Sequence, residues 1–228
     1  MPSLNQLLAQ HGCLLVLDAA SRQVQTGLLR KGQPAIWRSA TTEAGTGLFS
    51  GVDACLREAG VDFAAIGAFV FCEGPGSMLG LRTVAMAVRT WQTISAHPCP
   101  AYRYQSLLLL AHELVRANAA RPTAVIADAR RDSWHCVTIA ADGAISLLQR
   151  LPTAELPAPP TPLWQPHAFR AWAEPPRAAH DCAYDVAALL VAHADRDLFT
   201  ATDAPDAYQA TAPDYKKWSA QIHRAPAK

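Results

Sequence analysis

The stretch EGPGSMLGLRT, residues 73–83, places three glycines and a proline between an apolar run, IGAFVFC, and a segment of helical periodicity. A short apolar run bounded by small and polar residues reads as a strand buried on both faces. A strand that bends through glycines straight into a helix is the joint from which α/β sheets are built. The helix after the bend, Leu81–Ser95, is apolar round most of its circumference. Arg82 and Arg89 share one narrow face, while Leu81, Val84, Met86, Val88, Trp91 and Ile94 fill the rest. Such a helix is buried on two sides, by its own sheet and by a second surface.

The rest of the chain has the same alternation. CLLVLDAA (Cys13–Ala20) reads as a buried strand, and VQTGLLRKGQPAIWRSA as two strand pieces around a Lys31-Gly32 turn. Leu48, Val52, Cys55, Leu56 and Ala59 recur at helical spacing between an N-cap at Thr46 and a stop at Gly60. SLLLLAHELVRAN is a further helix. TAVIADARRDSWHCVTIAADGAISLLQ reads as a hairpin with its turn at Asp142-Gly143, and YDVAALLVAHA as a last helix. Between them, Leu151–Pro176 holds eight prolines in 26 residues, with Trp164 and Trp172 among them, and is expected to wrap irregularly. The order predicts an α/β chain with mixed sheets in two lobes, residues 1–103 and 104–228, the proline-rich segment 151–176 lying in the second.

With 228 residues, half of them hydrophobic and only 17% charged, the chain has ample material for a core, and general disorder is excluded. A formal net charge of +1 supplies no overall basic field for nucleic acid. The six cysteines form no C-x-x-C pair, which suits reduced, partly buried thiols in a cytosol. LNQLLAQHG is too short and polar for a signal peptide, and no apolar run approaches membrane-spanning length. A cytoplasmic, membrane-free protein is expected.

The glycine bend admits two readings. Backbone N–H groups and the positive end of a helix dipole converge at such a junction, which suits an anion. A purely structural joint is the alternative. The phosphate-loop pattern needs Lys and Ser/Thr after its last glycine, whereas Gly80 is followed by Leu81-Arg82. G-x-G-x-x-G fails by one residue, and Ser77 follows Gly76 too directly for a nucleophile elbow. Gly74, Gly76, Ser77 and Gly80 are thus nucleotide-loop-like without completing a known loop. Asp18, at the end of the first strand, can hold a magnesium–phosphate or cap its own turn. Asp128, in ADARRD with Arg130, repeats that position in the second half, as a cleft carboxylate or an ordinary surface ion pair. No histidine lies four residues from another, and HELV lacks the second His of H-E-x-x-H. Lys216-Lys217 beside Trp218 form a small basic and aromatic group in the tail, of a kind that touches RNA or is simply solvated.

Four stretches together resemble the TsaB (YeaZ) family, historically filed as glycoprotease-like. LLVLDAAS is similar to its opening strand with Asp-Thr-Ala or Asp-Thr-Ser, GPGSMLGLR to GPGSFTGLR, SLLLLA to S-L-x-x-L-A and DARRDSW to its DAR element. Tyr208 and Lys216-Lys217 match the spacing of a Y-L-R…K-K ending. The resemblance implies an actin/Hsp70/sugar-kinase-like fold of two lobes with mixed sheets. It implies a non-catalytic subunit without cofactor or metal, which pairs with the catalytic protein TsaD or with itself. Together with TsaE, that assembly serves threonylcarbamoylation of the tRNA adenosine next to the anticodon, the subunit meeting tRNA indirectly. The pairing surface expected on this basis comprises Leu48, Val52, Cys55, Met78, Leu81, Arg82, Met86, Arg89 and Trp91. Against the family pattern, Met78-Leu79 replace Phe-Thr, Val84 replaces a glycine, Ala19 replaces a threonine and Gln209-Ala210 replace Leu-Arg. The rival readings are an ATP- and magnesium-using enzyme of the same fold, with Asp18 and Asp128 flanking the metal, and a peptidase.

Overall fold

The computed structural model describes residues 1–209, so the expectations for Lys216, Lys217 and Trp218 lie outside the described residues. The chain opens with α1 (Leu4–His11), then β1 (Cys13–Asp18), β2 (Val24–Arg30), β3 (Ile36–Ala40), α2 (Ala44–Ala59), β4 (Ala68–Gly74), α3 (Met78–Ile94), β5 (Ala101–Gln105) and α4 (Ser106–Arg116). It continues through β6 (Thr123–Asp128), β7 (Ser133–Ile139), β8 (Gln149–Pro152), β9 (Leu163–Pro166), β10 (Ala179–Cys182), α5 (Val186–Ala192) and β11 (Thr200–Thr202).

Two mixed sheets result. The first is six-stranded, in the order β11-β5-β4-β1-β2-β3, with β1, β4 and β5 parallel and the outer pairs antiparallel. The second is five-stranded, β10-β9-β6-β7-β8. The α/β fold with mixed sheets expected from the sequence is the one found.

Every residue of β1 and β4 is buried, because side chains alternate between two covered faces. Leu15, Leu17, Phe69 and Phe71 point into a core capped by α2 and α3, joined by Val52, Val84, Val88 and Trp91. Leu14, Val16, Val70 and Cys72 face the other way, toward α1, α4, α5 and the inner face of the second sheet. α4 lies between the sheets and touches both. The outer face of the second sheet, with Ile126, Trp134 and Cys136, is covered by Leu156 from the proline-rich segment.

Several expectations need correction. LNQLLAQH, to which the sequence reading assigned no element, is a helix that opens on a capping box in which Ser3 and Gln6 satisfy each other's backbone N–H. α2 starts at Ala44, not after Thr46; Glu43 precedes it without a side-chain cap. The β6–β7 hairpin turns at Ala129–Asp132, because Asp128 accepts the Arg130 N–H at 2.6 Å; Asp142-Gly143 instead leads toward β8. The proline-rich segment contains β9, whose Leu163, Trp164 and Gln165 sit between Pro162 and Pro166. Pro162 precedes that strand and Pro166 is its last residue, opposite Cys182, and the Pro162 carbonyl still accepts from the Ala124 N–H. The division at residue 103 falls inside β5, and β11 returns from the second half to complete the first sheet.

Two partly buried histidines make this fold acid-sensitive. Burial pushes His112, on α4 against His193, and His135, on β7 beside Arg150, down to about 4. In the unfolded chain both take up protons near pH 6.5. Between those values the unfolded state binds more protons, so stability falls as pH drops from about 6.5 toward 4. Urea midpoints measured across that window should decline steadily, and His135→Phe should flatten the decline.

Candidate functional site

β1 and β4 are parallel neighbours, so Asp18 and Gly74 end on the same edge of the first sheet, where α/β folds place their ligands. Asp18 is fully buried. Its Oδ1 accepts the Ala20 N–H at 2.8 Å, and its Oδ2 accepts the hydroxyls of Tyr104 and Tyr184, each at 2.6 Å. Tyr104 comes from β5, and Tyr184 from the segment that joins β10 to α5. The Tyr184 hydroxyl also lies 3.8 Å from the Cys72 sulfur. Burial raises the Asp18 carboxyl above its ordinary value against the pull of these hydrogen bonds. A carboxylate held this way is spent on the fold's interior.

The glycine bend is a close joint. A Cβ on Gly76 would stand 2.4 Å from the Ala20 carbonyl oxygen, and one on Gly80 2.4 Å from that of Ala19. The Ser77 N–H donates to Ala20 O at 2.8 Å, and the Ser77 hydroxyl caps α3 at the Gly80 N–H. The bend thus rests directly on the loop between β1 and β2, and this backbone-to-backbone approach is what its glycines provide. Gly76→Ala must push that loop away, so its thermal unfolding midpoint should drop, for a loss of about 2 kcal/mol.

Beside the joint lies a cavity of about 600 Å³. Arg22 from the β1–β2 loop, Thr42 and Glu43 before α2, Ser77 and Leu79 at the start of α3, and Arg170 border it. Asp128, the second expected cleft carboxylate, shares no hydrogen-bond partner with Asp18. It accepts the backbone N–H groups of Arg130, Trp172 and Ala173, and so pins the proline-rich segment to the end of β6. Among the described residues no group of three His, Cys, Asp or Glu is placed to hold a metal, and no helix is long and apolar enough to cross a membrane.

The expected pairing residues separate into two sets. Leu48, Val52, Cys55, Leu81 and Trp91 are buried within the chain's own core and present no surface; this corrects their assignment. α3 lies on β4 and β1 with α2 alongside, so two neighbours from the same chain hide most of its apolar girth. Met78, Arg82 and Met86 do face outward, Met86 at 56% exposure, while Arg89 is half-buried near Asp206. Sequence reasoning missed Phe49, Leu79 and Ile94, which extend this exposed apolar surface. The signal was available: Leu79 and Met86 stand seven apart on one helical face with Arg82 and Thr90.

Residues 46–146, from α2 to just past β7, match the family described as TsaD: tRNA N6-adenosine threonylcarbamoyltransferase. YeaZ from Pseudomonas aeruginosa superposes with a TM-score of 0.60 at 24% identity, over 80% of this chain and 90% of that one. The chain has the YeaZ fold. A second structure, of an uncharacterized protein with similarity to peptidase YEAZ from Pseudomonas aeruginosa, gives a TM-score of 0.57 at 22% identity, with the same coverage. No curated protein sequence matches significantly. The TsaD-like stretch contains most of α2, the glycine bend and α3 together.

Proposed function

We propose that this chain is a TsaB-type, non-catalytic subunit that pairs with a TsaD-like protein in threonylcarbamoylation of the tRNA adenosine next to the anticodon. The observation that carries the reading is the outward surface of α2 and α3. Phe49, Met78, Leu79, Met86 and Ile94 stand exposed on two adjacent helices whose other faces are already packed. A matching helix pair from a partner would complete a four-helix contact. In isolation a second copy of the chain takes that place, and TsaE joins the larger complex in the cytoplasm.

The state of Asp18 supports a role without catalysis. Magnesium–phosphate binding needs a carboxylate lone pair facing a cleft, and here both oxygens are engaged by Ala20, Tyr104 and Tyr184. Calorimetry with ATP and magnesium tests the rival enzyme reading: measurable heat from nucleotide binding would favour it. A peptidase requires a nucleophile–base pair or a metal set, and among the described residues no group of three His, Cys, Asp or Glu is placed to hold a metal.

The deciding experiment is co-purification with the TsaD-like protein of the same genome. Wild-type chain should be retained, whereas Met86→Asp should weaken pairing by about thirtyfold with an unchanged melting temperature. Retention of Met86→Asp at wild-type strength would move the interface elsewhere, and failure of the wild type to pair would sink the proposed role.

A further inference from the structure

We infer that the surface around Trp172 and the adjoining cavity is a docking site for a single-stranded segment of RNA. The inference rests on the proposed role in tRNA modification and adds to it a direct contact with RNA. Trp172 projects from the proline-rich segment and is 65% exposed. The guanidinium carbon of Arg130 lies 4.8 Å from its ring centre, and that of Arg170 lies 5.9 Å away. An exposed indole flanked by guanidinium groups offers flat faces for unpaired bases and charge for the phosphates between them.

The arrangement is held in place from below. Asp128 binds the backbone of Trp172 and Ala173 as well as that of Arg130. Arg130, Arg131 and Asp132 all adopt positive φ, at 61°, 52° and 53°. Three successive non-glycine residues in the left-handed region form a strained turn of the kind kept where a side chain must be aimed. That turn sets Arg130 against the indole.

The charge continues into the cavity. Arg170 borders it together with Arg22, whose backbone N–H donates to Ala168 O at 2.8 Å and so ties the two segments together. Among the described residues, Glu43 is the only acidic one lining it. None of the ion pairs among the described residues uses Arg22, Arg130, Arg131 or Arg170. Arg22, Arg130 and Arg170 thus stand around the indole and the cavity with no ion-pair partner among the described residues, in a chain of net charge +1. A double helix keeps its bases stacked away from an indole, whereas an unpaired loop presents them; single-stranded RNA is the better fit.

Fluorescence anisotropy of a labelled single-stranded oligoribonucleotide of about ten nucleotides, titrated with the full chain at about 50 mM salt, tests this. Trp172→Ala should weaken binding about tenfold, and Trp172→Phe should restore most of it. Arg22→Ala with Arg170→Ala should lower the slope of log K against log salt by about 1.4, roughly 0.7 for each lost phosphate contact. Wild-type-like binding by Trp172→Ala, or no binding by the wild type, would overturn the assignment. So would displacement by AMP or inorganic phosphate as effective as by unlabelled oligonucleotide, which would make this a site for free phosphates. Pairing with the TsaD-like protein is measured on the same samples. Pairing retained without RNA binding removes only this inference, whereas lost wild-type pairing removes the proposed function.

Discussion

Asp18→Ala should lower the unfolding free energy by about 3 kcal/mol, read as a fall of about 1 M in the urea midpoint. The variant deprives two buried hydroxyls, on Tyr104 and Tyr184, of their acceptor and frees the Ala20 N–H at the same time. Neither tyrosine reaches water, so the desolvation cost of its hydroxyl is felt in full. Asp18→Asn should cost less, since an amide can still bridge the hydroxyls. Burial places the folded carboxyl above its unfolded value, so the Asp18 proton contributes stability below about pH 4 and loses that contribution as pH rises through the folded value. The asparagine variant lacks this linkage. The difference between wild type and Asp18→Asn should therefore move in favour of the wild type on acidification. A difference constant with pH would mean that Asp18 is not buried as described.

Trp91→Ala should be at least as damaging, at about 4 kcal/mol. The indole stacks on Phe69 at 5.7 Å, leans on Phe63 at 5.3 Å and meets the edge of Phe49 at 5.7 Å. Its removal opens a cavity between α2, α3 and the sheet, where neither backbone can follow. Thermal melts would show this as a large drop in midpoint before any partner is added. Trp91→Asp would fail for the same reason and reveals nothing about pairing. Met86→Asp, one and a half turns earlier on the outward face, leaves the core untouched. Equal melting temperatures for wild type and Trp91→Ala would refute this packing.

Some of this was legible in the chain itself. β1 and β4 announce themselves as uninterrupted apolar runs, because both faces of a central strand are covered. The glycine bend was visible too, but its two readings differ in what stands opposite Gly76 and Gly80. That neighbour, the backbone of Ala19 and Ala20, lies more than fifty residues away in sequence. The excess apolar girth of α3 was read correctly as two-sided burial, yet the second covering surface is largely α2 of the same chain. Periodicity states how much of a helix is greasy, not who covers it. The tyrosines that close over Asp18 come from positions 86 and 166 residues away, a separation that no local pattern encodes. α1 was the avoidable omission, since Ser3 followed by Gln6 is a readable capping box.

The return of β11 to the first sheet has a consequence for how the protein is made. Thr200–Thr202 pair with β5, and further along Tyr208 donates its backbone N–H to Glu73 O at 2.7 Å. During synthesis the strands from β1 to β5 emerge with one margin unsatisfied, and wait for nearly a hundred more residues before it is sealed. Until then the nascent chain carries an open seam, and a ribosome that stalls after α4 releases a half that cannot finish itself.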